Sequence, residues 1–231
     1  MAAKPLLVIV GETASGKSAL AIKLAQALNG EIICADSRTV YKGMDIGTAK
    51  PSPVERLQVP HHMLDIVTPD KRFTVVDFKR QAERHIQDMH ARGKLPILVG
   101  GTGLYIDAVI YDYQFAGPEE AKLRSPENPR HLVKDDKRVK QDRLRPGVIL
   151  LGLQLNRDEL RRRVTNRVEA MVRDGFVQEV RELSQKYGWE VPALLAPGYR
   201  AFREYIEGTL TLDEAKARFI KGDMDLAKRQ R

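Results

Sequence analysis

The sequence is poor in the features that would place it outside the cytosol or in a membrane. It has one cysteine and one tryptophan among 231 residues, and no apolar run approaches the roughly 20 residues that span a bilayer. A lone Cys34 forms no internal disulfide, which suits a reducing cytosol, and its apolar neighbours mark it as a buried, inert thiol. Without further thiolates, and with only the adjacent pair His61-His62 to suggest a metal site, zinc is not expected. Adjacent residues in a strand point to opposite faces. The segment before Gly11 lacks a long apolar region and a small-residue cleavage site, so it reads as a first strand and not a signal peptide. A cytoplasmic protein with no membrane partner is expected.

Hydrophobic residues make up 42% and charged residues 30%, enough for a sizeable core. Lys and Arg total 39 against 31 acids, a net +8 that favours a polyanionic partner such as nucleic acid. LLVIV at 6–10 is an uninterrupted apolar run, as expected of a strand buried on both faces of a parallel sheet. From Ser18 to Leu28, the positions Leu20, Leu24, Ala27 and Leu28 follow helical spacing, and Asn29-Gly30 supplies a stop. EIICA at 31–35 is a second strand with Asp36 at its tip, and 37–60 reads as a long functional loop. HMLDIV at 62–67 is expected as a strand. Val75, Phe78, Ala82, Ile86 and Met89 mark an amphipathic helix ending at Gly93. PILV at 96–99 and VILLGL at 148–153 read as further buried strands. Leu160, Val164, Val168 and Met171 form a helical stripe, and another helix starts near Leu212. Strands alternating with helices through Gly-rich turns imply an α/β fold, a P-loop NTPase-like doubly wound and mostly parallel sheet with a helical C-terminal part. The expected organisation is a P-loop core over 1–112, a short basic insertion over 113–146, and 147–231 completing the core. Between Arg130 and Arg145 that insertion holds seven Lys or Arg and three Asp.

GETASGKS at 11–18 fits the P-loop pattern G-x-x-x-x-G-K-[ST] between a buried strand and an amphipathic helix. Its glycines let the backbone amides of Gly11, Glu12, Thr13, Ala14, Ser15 and Gly16 curl toward phosphate oxygens. The helix N-terminus and Lys17 add positive charge, and the Ser18 hydroxyl can ligate magnesium. A P-loop specifies phosphate, not a reaction. Asp36 is expected at the tip of the strand beside the P-loop strand, where it is a water-mediated magnesium ligand, a base, or a turn cap. On these residues alone, a P-loop kinase of a small metabolite or nucleoside stays open. GGTG at 100–103 is a second Gly-rich strand-to-helix turn. Arg163 and Arg167 flank the apolar stripe of their helix, whereas Arg161 and Arg162 face solvent.

At this point the sequence resembles the tRNA dimethylallyltransferase (tRNA isopentenyltransferase) family. The matching segments are GETASGKS at 11–18, DSRTVYKGMDIGTAKP at 36–51, HHMLDIV at 61–67, LVGGTGLY at 98–105 and NRVEAMVRDGFVQEVREL at 166–183. GY at 198–199 and AKRQ at 227–230 extend the match over most of the chain. The resemblance implies transfer of a dimethylallyl group from dimethylallyl diphosphate to the exocyclic amine of the adenosine 3′ of the anticodon, with loss of pyrophosphate. It implies tRNA as partner, Mg²⁺ as cofactor, nucleotide binding at the P-loop and a monomeric enzyme. It assigns Asp36 as proton acceptor, Thr102 to the diphosphate or its magnesium shell, and Arg167 as a pyrophosphate clamp. Asp36, Ser37, Arg38, Thr39 and Thr102 fall where the acceptor base arrives. Tyr41 and Tyr105 are candidates for the prenyl channel, and core packing explains them equally well. The chain departs from the family pattern in its short 113–146 segment, where relatives carry a larger helical insertion, and in Pro197 before Gly198-Tyr199.

The implied tRNA partner would be gripped through phosphate contacts, so neutralising Arg138, Lys140 and Arg143 together should flatten the slope of log affinity against log salt by up to about three units. Filter binding across a salt series measures this, and an unchanged slope reduces the tract to a solvated connection.

Overall fold

The computed structural model describes residues 3–115 and 143–230. The expected basic insertion therefore lies, apart from its two ends, outside the described residues. β1 (Leu6–Gly11) leads through the P-loop into α1 (Lys17–Ala27) and then β2 (Gly30–Cys34). The loop after β2 contains α2 (Pro53–Gln58), opened by a Ser52–Glu55 capping box, and ends in the two-residue β3 (His61–His62). α3 (Val75–Ala91), β4 (Leu95–Val99) and α4 (Gly103–Ile110) follow, then β5 (Val148–Leu153). The remainder is helical: α5 (Arg157–Arg173), α6 (Phe176–Tyr187), a 3₁₀ turn at Pro192–Leu195, α7 (Pro197–Ile206) and α8 (Leu212–Arg229).

The five strands pair in parallel in the order β3-β2-β4-β1-β5. This corrects one expectation about the site: β4 lies between β1 and β2, so Asp36 is one strand further from the P-loop strand. The GGTG turn stands between them. Strand alternation sends Leu6 and Val8 to one face, where α3 and α4 pack on them through Phe78, Ile86, Ile106 and Val109. Leu7 and Ile9 face the other way onto α1. There α1 presents Ala21, Ile22 and Ala25 to the sheet, not the expected leucine stripe, and Leu28 is exposed. Small residues let this helix lie close to the strands, which leaves its leucines at the margin of the contact.

Two further expectations fail, one for a backbone reason and one because of position in the sheet. The strand over 62–67 is cut short because Met63 and Asp65 adopt left-handed φ of 66° and 56°. Only an isolated bridge between Tyr41 and Val67 remains. β5 is not a buried strand: among the described residues it is an edge, with Ile149 54% exposed. A third core lies beyond the sheet. Here α5 to α8 close over Val40, Tyr41 and Met44 of the loop after β2. At its centre Phe176 is fully buried, with ring centroids 5.1, 5.0 and 5.5 Å from Tyr199, Phe202 and Phe219. Tyr41 and Tyr105 are both buried, and Tyr105 stacks on Phe78 at 4.2 Å.

Removing the central ring tests how far this core supports the domain. Phe176→Ala should cost about 3–5 kcal/mol, read as a lowered urea midpoint at unchanged m-value. A loss under about 1 kcal/mol would contradict the packing described.

Candidate functional site

The site is a cavity of about 470 Å³ at the C-terminal ends of the strands. Its floor is the P-loop. Ala14 and Gly16 take left-handed φ of 59° and 96°, the curl that turns successive amides inward ahead of α1. Thr13, Ala14, Ser15, Gly16, Lys17 and Ser18 line the cavity. Gly11 and Glu12 do not. Gly11 instead permits the close passage of β5, since a Cβ there would sit 2.2 Å from the Leu153 carbonyl oxygen. Glu12 is buried, and the Leu155 amide donates to its Oε2 at 3.4 Å.

Lys17 donates from Nζ to the Glu12 carbonyl oxygen at 2.5 Å. Burial brings its pKa down to about 8, opposed by the Asp36 carboxylate and reinforced by the cation of Arg167. Arg163 and Arg167 enter from α5, one turn apart. Arg163 reaches the Ser15 carbonyl oxygen at 3.4 Å, so the helix that carries Arg167 also touches the loop. Arg167 Nη2 donates to Asp223 Oδ2 on α8 at 2.5 Å. Burial raises the Asp223 pKa above the usual carboxylate value, with Arg167 pulling the other way. Among the described residues, two buried side-chain polar atoms have no hydrogen-bond partner: Ser15 Oγ and Arg167 Nε. Both residues line this cavity. Unsatisfied buried polar atoms are rare because each forfeits its hydration, so their coincidence here marks a place for a polar ligand.

Asp36 lines the cavity opposite the P-loop, and its Oδ1 accepts the Arg38 amide at 2.7 Å. The turn-cap role is therefore real and coexists with a position facing the cavity. Thr39 lines the same cavity, and Arg38 lines an adjoining cleft with Asp223. Ser37 lies behind the wall, where its amide donates to Thr102 Oγ1 at 3.0 Å. The Thr102 hydroxyl is thus turned to Ser37, and the GGTG turn meets the cavity through Gly100 and Gly101. Gly100 has no room for a side chain, because a Cβ would fall 2.0 Å from the Ala35 carbonyl oxygen. Cys34 borders the cavity as a free thiol, and burial pushes its pKa up to about 12. His61 and His62 part company as expected, His61 bonding the Val59 carbonyl oxygen and His62 the Glu31 carboxylate.

Glu179 escapes sequence reasoning. Its carboxylate accepts the amides of Asp45, Ile46 and Gly47 at 2.7–2.9 Å and the Tyr199 hydroxyl at 2.6 Å. It thereby pins residues 45–47 of the loop that starts at Asp36. Nothing in helical periodicity separates Glu179 from its solvated neighbours. Asp223 escaped for the same reason, lying on a helix whose other acids, Asp213, Glu214 and Asp225, are exposed, and Gln230, just past the end of that helix, stood only within the AKRQ match.

An all-parallel sheet, a P-loop at the end of its β1 strand and a cavity lined by Lys17, Arg163 and Arg167 together with Asp36 and Glu55 define a P-loop NTPase-like α/β protein. The chain belongs to the IPP transferase family, whose model matches residues 39–142 and 130–231. It is 39% identical to the tRNA dimethylallyltransferase of Roseiflexus sp. (strain RS-1), an alignment covering 98% of this chain and 88% of that protein. It is equally 39% identical to the tRNA dimethylallyltransferase of Geobacillus thermodenitrificans (strain NG80-2), over 97% and 85%. These alignments run over 269 positions, longer than the chain itself, so the relatives carry residues that this chain lacks. The crystal structure of the tRNA isopentenylpyrophosphate transferase of Bacillus halodurans superposes with TM-score 0.84 at 34% identity, covering 99% of this chain and 86% of that one. A eukaryotic dimethylallyltransferase acting on tRNA superposes with TM-score 0.82 at 26% identity, covering 99% and 69%.

The depressed Lys17 pKa gives the site a pH signature. Below about 8 Lys17 is cationic and attracts phosphate; above it the free protein must take up a proton to bind. Pyrophosphate affinity should therefore decline by up to about one log unit per pH unit above that point. Lys17→Arg, which keeps its charge, should show a flatter profile by calorimetry. Parallel profiles would contradict the assignment.

Proposed function

We propose that this chain transfers the dimethylallyl group of dimethylallyl diphosphate to the exocyclic amine of the adenosine 3′-adjacent to the anticodon in tRNA, releasing pyrophosphate. The observation that carries the reading is the convergence of Lys17, the two unpartnered atoms Ser15 Oγ and Arg167 Nε, and Asp36 on one cavity. Family membership supplies the reaction class.

The amine attacks the first prenyl carbon as the carbon–oxygen bond to the diphosphate breaks. Negative charge accumulates on the leaving pyrophosphate, and the P-loop amides, Lys17 and Arg167 stabilise it. The attacking nitrogen becomes cationic and passes its proton to the Asp36 carboxylate. Adenine within a stacked anticodon loop is out of reach, so the base turns out of its stack into the cleft beside Arg38 and Thr39. Hard oxygen donors suit Mg²⁺, and the Ser18 hydroxyl, which borders the cavity, would hold it beside the diphosphate oxygens. When bound, the ion would neutralise diphosphate charge. The reading includes a monomer acting in the cytoplasm, with ATP occupying the P-loop only as a diphosphate mimic. No helix among the described residues is long and apolar enough to cross a membrane. It also divides the chain into a core over 1–112 and 147–231, joined by the basic segment 113–146.

Mass spectrometry of tRNA nucleosides after incubation with dimethylallyl diphosphate and magnesium should detect the prenylated adenosine. Asp36→Asn keeps the shape and removes the basicity, so single-turnover rates should fall ~10²–10⁴-fold while donor affinity changes far less. Near-native turnover in Asp36→Asn would overturn the role of this residue. Absence of the adduct with the unaltered protein would overturn the function.

A further inference from the structure

α8 delivers one side chain to the centre of the site that the reaction scheme above does not use. The helix is amphipathic, with Ala215, Phe219, Asp223 and Ala227 buried at four-residue intervals. Its last turn packs Ala227 on Leu160 and Val164 of α5, with Ala14 of the P-loop against the same cluster. Gln230 follows directly. Its Oε1 accepts the Thr13 amide at 2.7 Å, and its Nε2 donates to the Gly101 carbonyl oxygen at 3.0 Å. A single carboxamide thus bridges the P-loop at the end of β1 and the GGTG turn at the end of β4, from 217 residues away in sequence.

The chemistry of the bridge is specific. Thr13 offers a donor and Gly101 an acceptor, so the bridging group must present both an acceptor and a donor, as a neutral amide does. Gly101 is the counterpart of Gln230, because a Cβ at that position would lie 2.3 Å from Gln230 Nε2. The brace continues across the site: Gly101 is followed by Thr102, whose hydroxyl holds the Ser37 amide next to Asp36. Gln230 therefore sits where it sets the distance between the phosphate loop and the carboxylate side of the cavity, which both line.

We propose that Gln230 is a positioning residue for the diphosphate donor, acting through the P-loop and the GGTG turn and not as a tRNA contact. The proposal rests on the reading of this cavity as a diphosphate site. Calorimetry with inorganic pyrophosphate and magnesium on the full chain tests it. Gln230→Ala should weaken pyrophosphate binding about tenfold, with two hydrogen bonds of ordinary strength lost, one at the P-loop and one at the GGTG turn. Gln230→Glu can still accept the Thr13 amide, but it turns an acceptor toward the Gly101 carbonyl and adds an anion beside the ligand. It should bind about tenfold more weakly again than Gln230→Ala. In steady state the donor KM should rise in this order while tRNA affinity by filter binding stays unchanged.

Unchanged pyrophosphate affinity in Gln230→Ala, or equal affinities for the two variants, would overturn the proposal. So would a loss of tRNA affinity without a change in pyrophosphate binding. If the unaltered protein binds no pyrophosphate, the diphosphate reading itself fails. Amide hydrogen exchange then decides the brace: faster exchange at Thr13 in Gln230→Ala sustains it, and an unchanged rate overturns it.

Discussion

A buried ammonium next to an anion-binding loop is costly until the anion arrives, and the arrangement of this protein follows from that constraint. Desolvation lowers the Lys17 pKa to about 8. Its charge is partly met by the Glu12 carbonyl oxygen and the Asp36 carboxylate. Arg167, a second cation, is held close by through Asp223. Left to itself such a cluster would repel. Folding tolerates it because the residues are fixed by packing elsewhere: α1 by its alanine face on the sheet, α5 by Leu160, Val164 and Val168. The electrostatic strain is thereby concentrated where a diphosphate would relieve it, and a site organised before the charge develops need not reorganise during the reaction.

The second consequence concerns the long loop that carries Asp36. Loops of this length are ordinarily mobile, yet this one is tied at several points. Val40, Tyr41 and Met44 are buried beneath the C-terminal helices. Glu179 takes three of its amides, and Lys50, buried with its amine on Tyr41, Asp45 and Asp65, crosses its middle. Thr102 holds Ser37. The helices after β5 are therefore not an accessory layer: their core fixes the loop that brings the Asp36 carboxylate to the cavity. The cost of losing Phe176 would be felt at Asp36 as well as in the melting temperature.

Much of this was legible in the sequence because it depends on local chemistry. The P-loop needs glycines, a lysine and a hydroxyl at fixed spacing. The helices announce themselves by period, as in the stripe Val75, Phe78, Ala82, Ile86 and Met89, and the structure closes their starts with the capping boxes Thr74–Asp77 and Thr211–Glu214. Periodicity put Arg163 and Arg167 beside an apolar stripe, and the family resemblance singled out Arg167; both line the cavity. What periodicity misjudged were positions decided by backbone handedness and by competition between faces. Met63 and Asp65 break a strand that their residue types do not forbid. Leu28 lost its place in the core to alanines that allow a closer approach.

The sequence by itself determined the α/β class, the phosphate loop, the carboxylate at the tip of β2 and the family resemblance, because each is written in a short stretch of chain. Only the tertiary structure decided strand order, which put β4 and its GGTG turn between β1 and β2. It alone turned Thr102 toward Ser37, paired Arg167 with Asp223, and brought Gln230 onto Thr13 and Gly101. These contacts join residues tens to hundreds of positions apart. Their partners are chosen by how helices and strands pack, and no local pattern records that choice.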